Sequence, residues 1–186
     1  MNESETIQLV ENDEWMMSVL GEAQKLNLPN WMIGAGFIRN KVWDHLHDIK
    51  RNVADTSDID LIYFDPVNVS RENDKNLSKK MNGVLDLEWE IVNQAYTHEW
   101  HNRREPYRSS EEALSEWIET PTCVAVTLEN GTPKIIAPHG IDDLVNLIIR
   151  PSPNATASGD VFAVFHNRIT SKDWLKKWNK LKIVVD

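Results

Sequence analysis

The segment Trp31-Met32-Ile33-Gly34-Ala35-Gly36-Phe37-Ile38-Arg39-Asn40 is followed further along the chain by Asp58-Ile59-Asp60-Leu61-Ile62-Tyr63-Phe64. Its apolar start is too short for a helix and suits a buried strand that ends at a glycine turn. Beyond the turn, apolar residues recur at steps of four, four and three, which predicts a helix running to about Arg51. The second segment is β-branched and aromatic, which is typical of a strand. Strand, glycine turn, helix and acidic strand together are the layout of a site for a phosphate and a metal.

The two aspartates of the second segment carry the metal half of this interpretation. Asp58 and Asp60 are two residues apart, so on a strand they point to one face with Cα atoms roughly 6.5 Å apart. Two ionised carboxylates at this spacing repel each other, and a divalent cation compensates their charge. Mg²⁺ prefers oxygen ligands and keeps waters and substrate phosphate oxygens in its shell. On the other side, Gly34 and Gly36 lack a Cβ, which lets a phosphate approach N–H groups at a helix start.

The rest of the chain predicts a mixture of helices and strands. Asn130-Gly131 between two apolar runs is a strong hairpin signal. A third strand from Leu85 to Tyr96 alternates, with one face formed by Glu88, Glu90 and Val92 and the other by Trp89, Ile91 and Asn93. We expect helices over about Glu5–Leu26, from Ser109 to Trp117, after a cap at Asp142, over Val161–Arg168 and over Ser171–Lys180, with a short one between Asn68 and Asn82 and a loop over 151–160.

Composition bounds the class of protein. The chain has 186 residues, enough for one domain with its own core, and no apolar run approaches a membrane span. Its amino terminus is acidic and lacks the order of a secretory signal, and its single cysteine, Cys123, suits a reducing compartment. We expect a cytoplasmic protein without a membrane partner. A net charge of -9 makes binding of extended nucleic acid unlikely, although metal ions can still hold one triphosphate locally.

At this point the motifs resemble those of the polymerase-β-type nucleotidyltransferase superfamily, in which a Gly-Gly or Gly-Ser turn at a helix start precedes an Asp-x-Asp strand. Nearly the whole chain is similar to a small bacterial nucleotidyltransferase-like family. The matching stretches are Gly34 to Asn40, Asp58 to Asp60 with Tyr63 to Asp65, Trp89 to Ala95 with His98, Pro106-Tyr107 with Ser109, Trp117 to Thr120, and Asp142 to Leu144 with Arg150-Pro151. Gly34-Ala35-Gly36 departs from the usual glycine pair.

The resemblance implies an α+β fold with a small mixed β-sheet flanked by helices, plus an additional C-terminal hairpin and helical region. It implies a single domain over 1–186, with a core over about 1–100 and an accessory region over about 101–186. The implied reaction is magnesium-dependent transfer of an NMP from an NTP to a hydroxyl acceptor, with two Mg²⁺ ions possible and Mn²⁺ as a substitute. The acceptor is unknown, and the acidic charge favours a small molecule.

The resemblance also implies roles for individual residues. Asp58 and Asp60 are the expected metal ligands and, with Glu90, the catalytic set; Glu88 and Asn93 are the other candidates for the third position, and an amide cannot act as a base. The expected nucleotide-binding residues are Gly34, Gly36, Arg39, Asn40, Asn93 and His98. Arg39 is equally compatible with a surface salt bridge, and His98 with a structural role.

Two other classes of function remain open on the sequence alone. A nucleotide-binding or regulatory module could keep the fold without turnover if Glu90 points away from the aspartates. A structural interaction protein could use a surface rich in tryptophan, of which the chain has eight.

Overall fold

The structure is a computed structural model that describes residues 1–50, 58–101, 103–157 and 159–185. Its helices are α1 (Glu3–Glu11), α2 (Glu14–Lys25), α3 (Gly36–Leu46), α4 (Arg71–Met81), α5 (Ser110–Ser115), α6 (Asp142–Val145), α7 (Pro153–Ala157), α8 (Gly159–Ser171) and α9 (Trp174–Lys177). Its strands are β1 (Met32–Gly34), β2 (Asp58–Tyr63), β3 (Glu88–Asn93), β4 (Ala125–Glu129), β5 (Thr132–Ile136), β6 (Ile148–Ile149) and β7 (Lys182–Ile183). Among the described residues, no helix is long and apolar enough to cross a membrane.

Five strands form a mixed sheet in the order β3-β2-β1-β4-β5. Strands β2 and β3 are parallel, and the other neighbours are antiparallel. The expected mixed sheet flanked by helices is therefore confirmed. The hairpin, which we expected as an addition to the core, instead supplies β4 and β5 to the central sheet, so the expected boundary near residue 100 does not separate the sheet. Its turn residues Asn130 and Gly131 both have positive φ, the conformation that a two-residue hairpin turn requires.

A row of apolar side chains fixes the register of the three central strands. Ile33 lies opposite Leu61, and Leu61 lies opposite Ile91; all three are buried in the main core. A slip of one residue would turn these side chains to the other face of the sheet. The register therefore also decides which residues face away from the core. By the same register, Gly34, Asp60 and Glu90 form the next row, on the opposite face of the sheet.

Several helix boundaries differ from the sequence-based expectation. The predicted helix over Glu5–Leu26 is two helices, because the Asp13 carboxylate accepts a hydrogen bond from the Met16 N–H at 3.0 Å and starts α2 anew. Helix α3 ends at Leu46, before residues 51–57, which lie outside the described part. The segment expected as a loop over 151–160 contains α7. Asp142 is the first residue of α6 and not its cap, which is Ile141.

The third strand and the last predicted helix are shorter than expected. Leu85 and Asp86 have φ values of 59° and 57°, so the strand begins only at Glu88. Helix α9 covers four residues, and the next residue, Trp178, is buried with its indole N–H donating to Asp44 at 2.8 Å. Helix α4 is longer than the short helix expected there, because Asp74 and Met81 anchor it against the sheet.

Candidate active site

A cavity of about 510 Å³ opens on the sheet face that carries the acidic residues. This volume lies in the range of small-molecule sites. The lining brings together residues from β2, β3, the start of α3, the segment around Trp117 and the end of α8. They are Ala35, Gly36, Arg39, Asn40, Asp58, Asp60, Ile62, Glu90, Val92, Gln94, Thr97, Trp100, Glu116, Trp117, Ile118, Thr122, Arg168, Lys172 and Trp174.

Three carboxylates occupy one side of this cavity. Asp60 lies directly opposite Glu90 across the parallel pair β2 and β3, and Asp58 lies two residues before Asp60 on the same face. Burial, followed by the negative charges of Asp58 and Glu90, raises the pKa of Asp60 to about 6. Both Glu88, opposite Asp58, and Glu90, opposite Asp60, are exposed, but only Glu90 is part of the cavity lining. Of the candidates for the third carboxylate, Glu90 is thus the one that lines the cavity with the aspartates.

The donor chemistry of this side fits a hard divalent cation. Asp58 and Asp60 offer only oxygen atoms, the ligand type that Mg²⁺ and Mn²⁺ prefer. No three His, Cys, Asp or Glu side chains of the described residues come close enough together to hold a metal ion by themselves. The protein would thus supply a pair of carboxylates, and water or substrate phosphate would complete the shell, as is usual for Mg²⁺ in phosphate chemistry.

In the turn between β1 and α3, the residue with the unfavourable backbone conformation is Ala35 and not a glycine. Ala35 has φ 43° and ψ −112°, a conformation that a residue with a Cβ rarely adopts. Two hydrogen bonds hold it there, from the Ala35 N–H to the Val124 carbonyl and from the Arg39 N–H to the Ala35 carbonyl, both 2.9 Å. Gly36 is the first residue of α3 and lines the cavity, and the helix start has no side-chain cap. The uncapped first turn of α3 therefore borders the cavity.

Replacing Ala35 with glycine tests whether the turn is strained. We expect Ala35→Gly to raise the free energy of unfolding by about 0.5–1.5 kcal/mol, because relief of roughly 1–3 kcal/mol of strain exceeds the entropy that glycine adds to the unfolded chain. Urea unfolding of the two proteins measures the difference. Ala113→Gly in α5, where the backbone is helical, should instead lower stability. A loss of stability in both variants would contradict strain at Ala35.

Gly34 has a different role from the phosphate contact that we expected. A Cβ at this position would lie 2.6 Å from Cη2 and 2.9 Å from Cζ3 of the Trp117 ring. Gly34 is also absent from the cavity lining, whereas Trp117 is part of it. The glycine therefore lets the Trp117 indole approach the sheet closely, next to Asp60 in the same row. Of the two expected glycines, only Gly36 faces the cavity.

Gly34→Ala should displace this indole. We expect a loss of about 1–3 kcal/mol in the free energy of unfolding, because overpacking of a filled site has costs of that size. Gly21→Ala is the matched control, since a Cβ at Gly21 in α2 meets nothing within 4 Å and the change should stabilise the helix. Thermal unfolding of both variants measures the contrast. Equal stability of Gly34→Ala and the original protein would mean that Trp117 moves aside freely.

Arg39 is a buried cation and not part of a surface salt bridge, one of its two expected roles. Its side chain lies over the Trp174 ring, 4.4 Å from the ring centroid. It donates to Asn40 Oδ1 at 2.9 and 3.2 Å and to Thr122 Oγ1 at 3.2 Å. Burial lowers the pKa of Arg39 to about 10, which leaves the guanidinium charged at neutral pH. Arg39 and Asn40 both line the cavity, and nucleotide binding by these residues stays a prediction.

The end of α8 adds two cations that the sequence reasoning missed. Arg168 lies in the last turn of α8 and Lys172 directly follows the helix, and both line the cavity together with Arg39. Glu119 is fully buried and accepts from Arg168 Nε at 2.7 Å, from Arg168 Nη2 at 3.3 Å and from Thr122 Oγ1 at 2.8 Å. Thr122 thus links Arg39 to Arg168, because it accepts a hydrogen bond from Arg39 and donates one to Glu119, the partner of Arg168. The sequence signal that was available is the pair of basic residues four apart at the end of an amphipathic helix.

Two expected nucleotide-binding residues lie outside the cavity lining. Asn93 is fully buried on the opposite face of β3, where its side chain accepts from the Asp65 and Ala95 N–H groups and donates to the Asp65 carbonyl. It is a structural residue of the loop after β2, because all these contacts are with that loop and its own chain neighbour. His98 packs edge-on against Tyr107 and is not a lining residue, although its neighbour Thr97 is.

Comparison with known proteins places this geometry in a family. The sequence profile of a family described as nucleotidyltransferase matches residues 21–183. A solved structure described as a CCA-adding enzyme head domain shares 29% identity with a TM-score of 0.88, covering 100% of this chain and 97% of that chain. A complex of a CCA-adding enzyme with CTP shares 15% identity with a TM-score of 0.56, covering 99% of this chain and 43% of that chain, which is a likeness of fold. Comparison with curated proteins finds no significant match. The chain, with its Asp-x-Asp strand beside a glycine turn, belongs to a nucleotidyltransferase family.

Proposed function

We propose that this protein is a metal-dependent nucleotidyltransferase that moves an NMP from an NTP to a hydroxyl acceptor. The observation that carries the proposal is that one cavity is lined by both carboxylates and cations. Asp58, Asp60 and Glu90 supply the carboxylates, and Arg39, Arg168 and Lys172 supply the cations. An NTP with divalent metal presents the complementary charges, since its phosphate oxygens both ligate metal and accept hydrogen bonds from cations.

The carboxylates and the cations of the cavity have separate tasks in the proposed reaction. Asp58 and Asp60 would hold one or two Mg²⁺ ions, which stabilise the attacking and leaving oxygens of an in-line displacement when bound. The carboxylate of Glu90 is the candidate to accept the proton of the acceptor hydroxyl. Arg168 and Lys172, with the first turn of α3, would bind the triphosphate and the departing pyrophosphate. The acceptor oxygen forms a bond to the α-phosphorus as the bond to the pyrophosphate oxygen breaks.

The test measures NTP binding first and nucleotidyl transfer second. Purified protein is titrated with each NTP with Mg²⁺, with Mn²⁺ and with EDTA, and NTP binding is measured by calorimetry. The likeness to a CCA-adding enzyme head domain makes CTP and ATP the first donors to test. We then expect α-³²P-labelled NTP, incubated with a cell extract, to yield a labelled product and pyrophosphate. Metal-dependent binding without any product would identify a non-catalytic nucleotide-binding module. The absence of metal-dependent NTP binding would refute both assignments.

A further inference from the structure

Trp100 is an exposed aromatic residue in the lining of the candidate site. Its side chain is 57% exposed, the largest exposure among the tryptophans of the described residues, whereas Trp174 in the same lining is only 7% exposed. An exposed indole forgoes the favourable free energy that burial of its large apolar surface would contribute. Its exposure within the site lining is therefore consistent with a ligand that covers the ring.

The ring is held in place from behind. Trp100 packs edge-on against Tyr96, with ring centroids 5.6 Å apart and an interplanar angle of 73°. Tyr96 is buried, and its hydroxyl donates to the buried Asp74 at 2.7 Å. Arg71 lies over the Tyr96 ring at 5.1 Å. Tyr96, which packs against Trp100, is thus anchored to α4. A ligand that stacks on Trp100 therefore loses little affinity to ordering of the indole.

The sheet places Trp100 away from the triphosphate end of the cavity. Strand β1 is antiparallel to β2, so the chain leaves β1 and starts α3 at the Asp58 end of β2. The cavity lining continues along β2 in the opposite direction, from Asp60 to Ile62. On β3 the lining likewise proceeds from Glu90 through Val92 to Gln94, each step of two residues covering roughly 6.6 Å. Trp100 comes after the C-terminal end of β3 in the chain and lines the cavity together with Gln94. The carboxylates therefore lie between Trp100 and the uncapped helix start.

In-line displacement requires the attacking oxygen to approach opposite the leaving pyrophosphate. The pyrophosphate belongs at the helix start and the cations, so the acceptor enters from the end of Val92, Gln94 and Trp100. We propose that Trp100 is the platform on which the acceptor stacks a planar heterocycle, so that the acceptor is the hydroxyl of a nucleoside or of an oligonucleotide end. This inference rests on the proposed transferase function and specifies its second substrate.

The test measures donor and acceptor binding separately in the full chain. The donor probe is a non-hydrolysable CTP analogue with Mg²⁺, and the acceptor probes are adenosine, the dinucleotide ApA and an RNA octamer, with ribose 5-phosphate as the probe without a base. Trp100→Ala should weaken binding of the base-containing probes about tenfold, because stacking on an aromatic side chain contributes about 1–3 kcal/mol per base. Trp100→Phe should retain most of the affinity. Val67→Ala, which changes an exposed residue outside the cavity, is the control for surface effects.

The outcomes separate this inference from the proposed function. Weaker binding of base-containing probes with unchanged affinity for the CTP analogue supports the acceptor platform, and a preference for adenosine or for the octamer identifies the source of the base. Unchanged binding of adenosine and ApA by Trp100→Ala overturns it. Equal weakening of the CTP analogue assigns Trp100 to the donor base and also overturns it, as does a wild-type protein that binds ribose 5-phosphate as well as adenosine. If the analogue does not bind with Mg²⁺, the transferase proposal fails, and the acceptor role fails with it.

Discussion

Asp60→Asn is expected to abolish magnesium-dependent NTP binding and to lower the rate of nucleotidyl transfer by roughly 10³-fold or more, because metal-assisted charge stabilisation supplies several kcal/mol. The same variant should be more stable than the original protein in the absence of metal at pH 7.5. Its Asn side chain removes a carboxylate whose ionisation the fold opposes through burial and the charges of Asp58 and Glu90. Lost function with gained stability is the pattern expected of a site that stores electrostatic repulsion.

The sign of the pH dependence follows from the raised pKa. The folded-state pKa of Asp60 is about 6, above the roughly 3.9 of an unfolded Asp, so the fold favours the protonated form. The destabilisation is fully present above pH 6 and disappears as the pH falls from 6 towards 4. Without metal, we expect Asp60→Asn to gain about 1–3 kcal/mol at pH 7.5 and little at pH 4.

Thermal unfolding at pH 4 and pH 7.5, with and without Mg²⁺, measures both effects of the substitution. Glu72→Gln is the matched control, because Glu72 is an exposed carboxylate on α4 and is not part of the cavity lining. It should retain both NTP binding and the stabilisation by Mg²⁺. If Asp60→Asn keeps its transfer activity, or if Mg²⁺ stabilises it as much as the original protein, Asp60 is not a metal ligand.

Glu119→Gln is expected to lower the free energy of unfolding by about 2–4 kcal/mol, because breaking a buried ion pair leaves the partner charge uncompensated. The carboxylate is fully buried, and the Arg168 side chain is 33% exposed, which places the estimate at the lower part of the range for buried pairs. The variant should also bind NTP more weakly relative to NMP, since Arg168 is no longer held against the cavity. The double variant Glu119→Gln/Arg168→Met should be more stable than the sum of the single changes predicts.

Urea unfolding of the four proteins in this cycle gives the coupling energy, and calorimetric titration with NTP and NMP gives the effect on phosphate binding. Glu129→Gln is the control, because Glu129 pairs with Lys134 at 3.3 Å on the exposed hairpin, where such a pair contributes little. Additive losses of stability, with an unchanged ratio of NTP to NMP affinity, would show that the Glu119 and Arg168 pair does not organise the cavity.

The sequence by itself determined the central part of the site, because its signals are local. Alternation along a strand places Asp58 and Asp60 on one face, and the same alternation places Glu90 on one face of β3 and Asn93 on the other. The Asn130-Gly131 turn likewise specifies its hairpin through two adjacent residues with positive φ. These properties depend on neighbours in the chain, so periodicity and turn chemistry reveal them.

Only the tertiary structure decided which residues from distant segments complete the cavity. That β3 lies beside β2 in parallel, and so brings Glu90 opposite Asp60, is a matter of strand order that alternation does not encode. The contact of Trp117 with Gly34 and the ion pair of Arg168 with Glu119 join segments far apart in the chain. The sequence does not distinguish a glycine required for a packing contact from one required for phosphate binding. Nor does it distinguish a buried glutamate from an exposed one. Their roles follow from what packs against them, which the fold alone supplies.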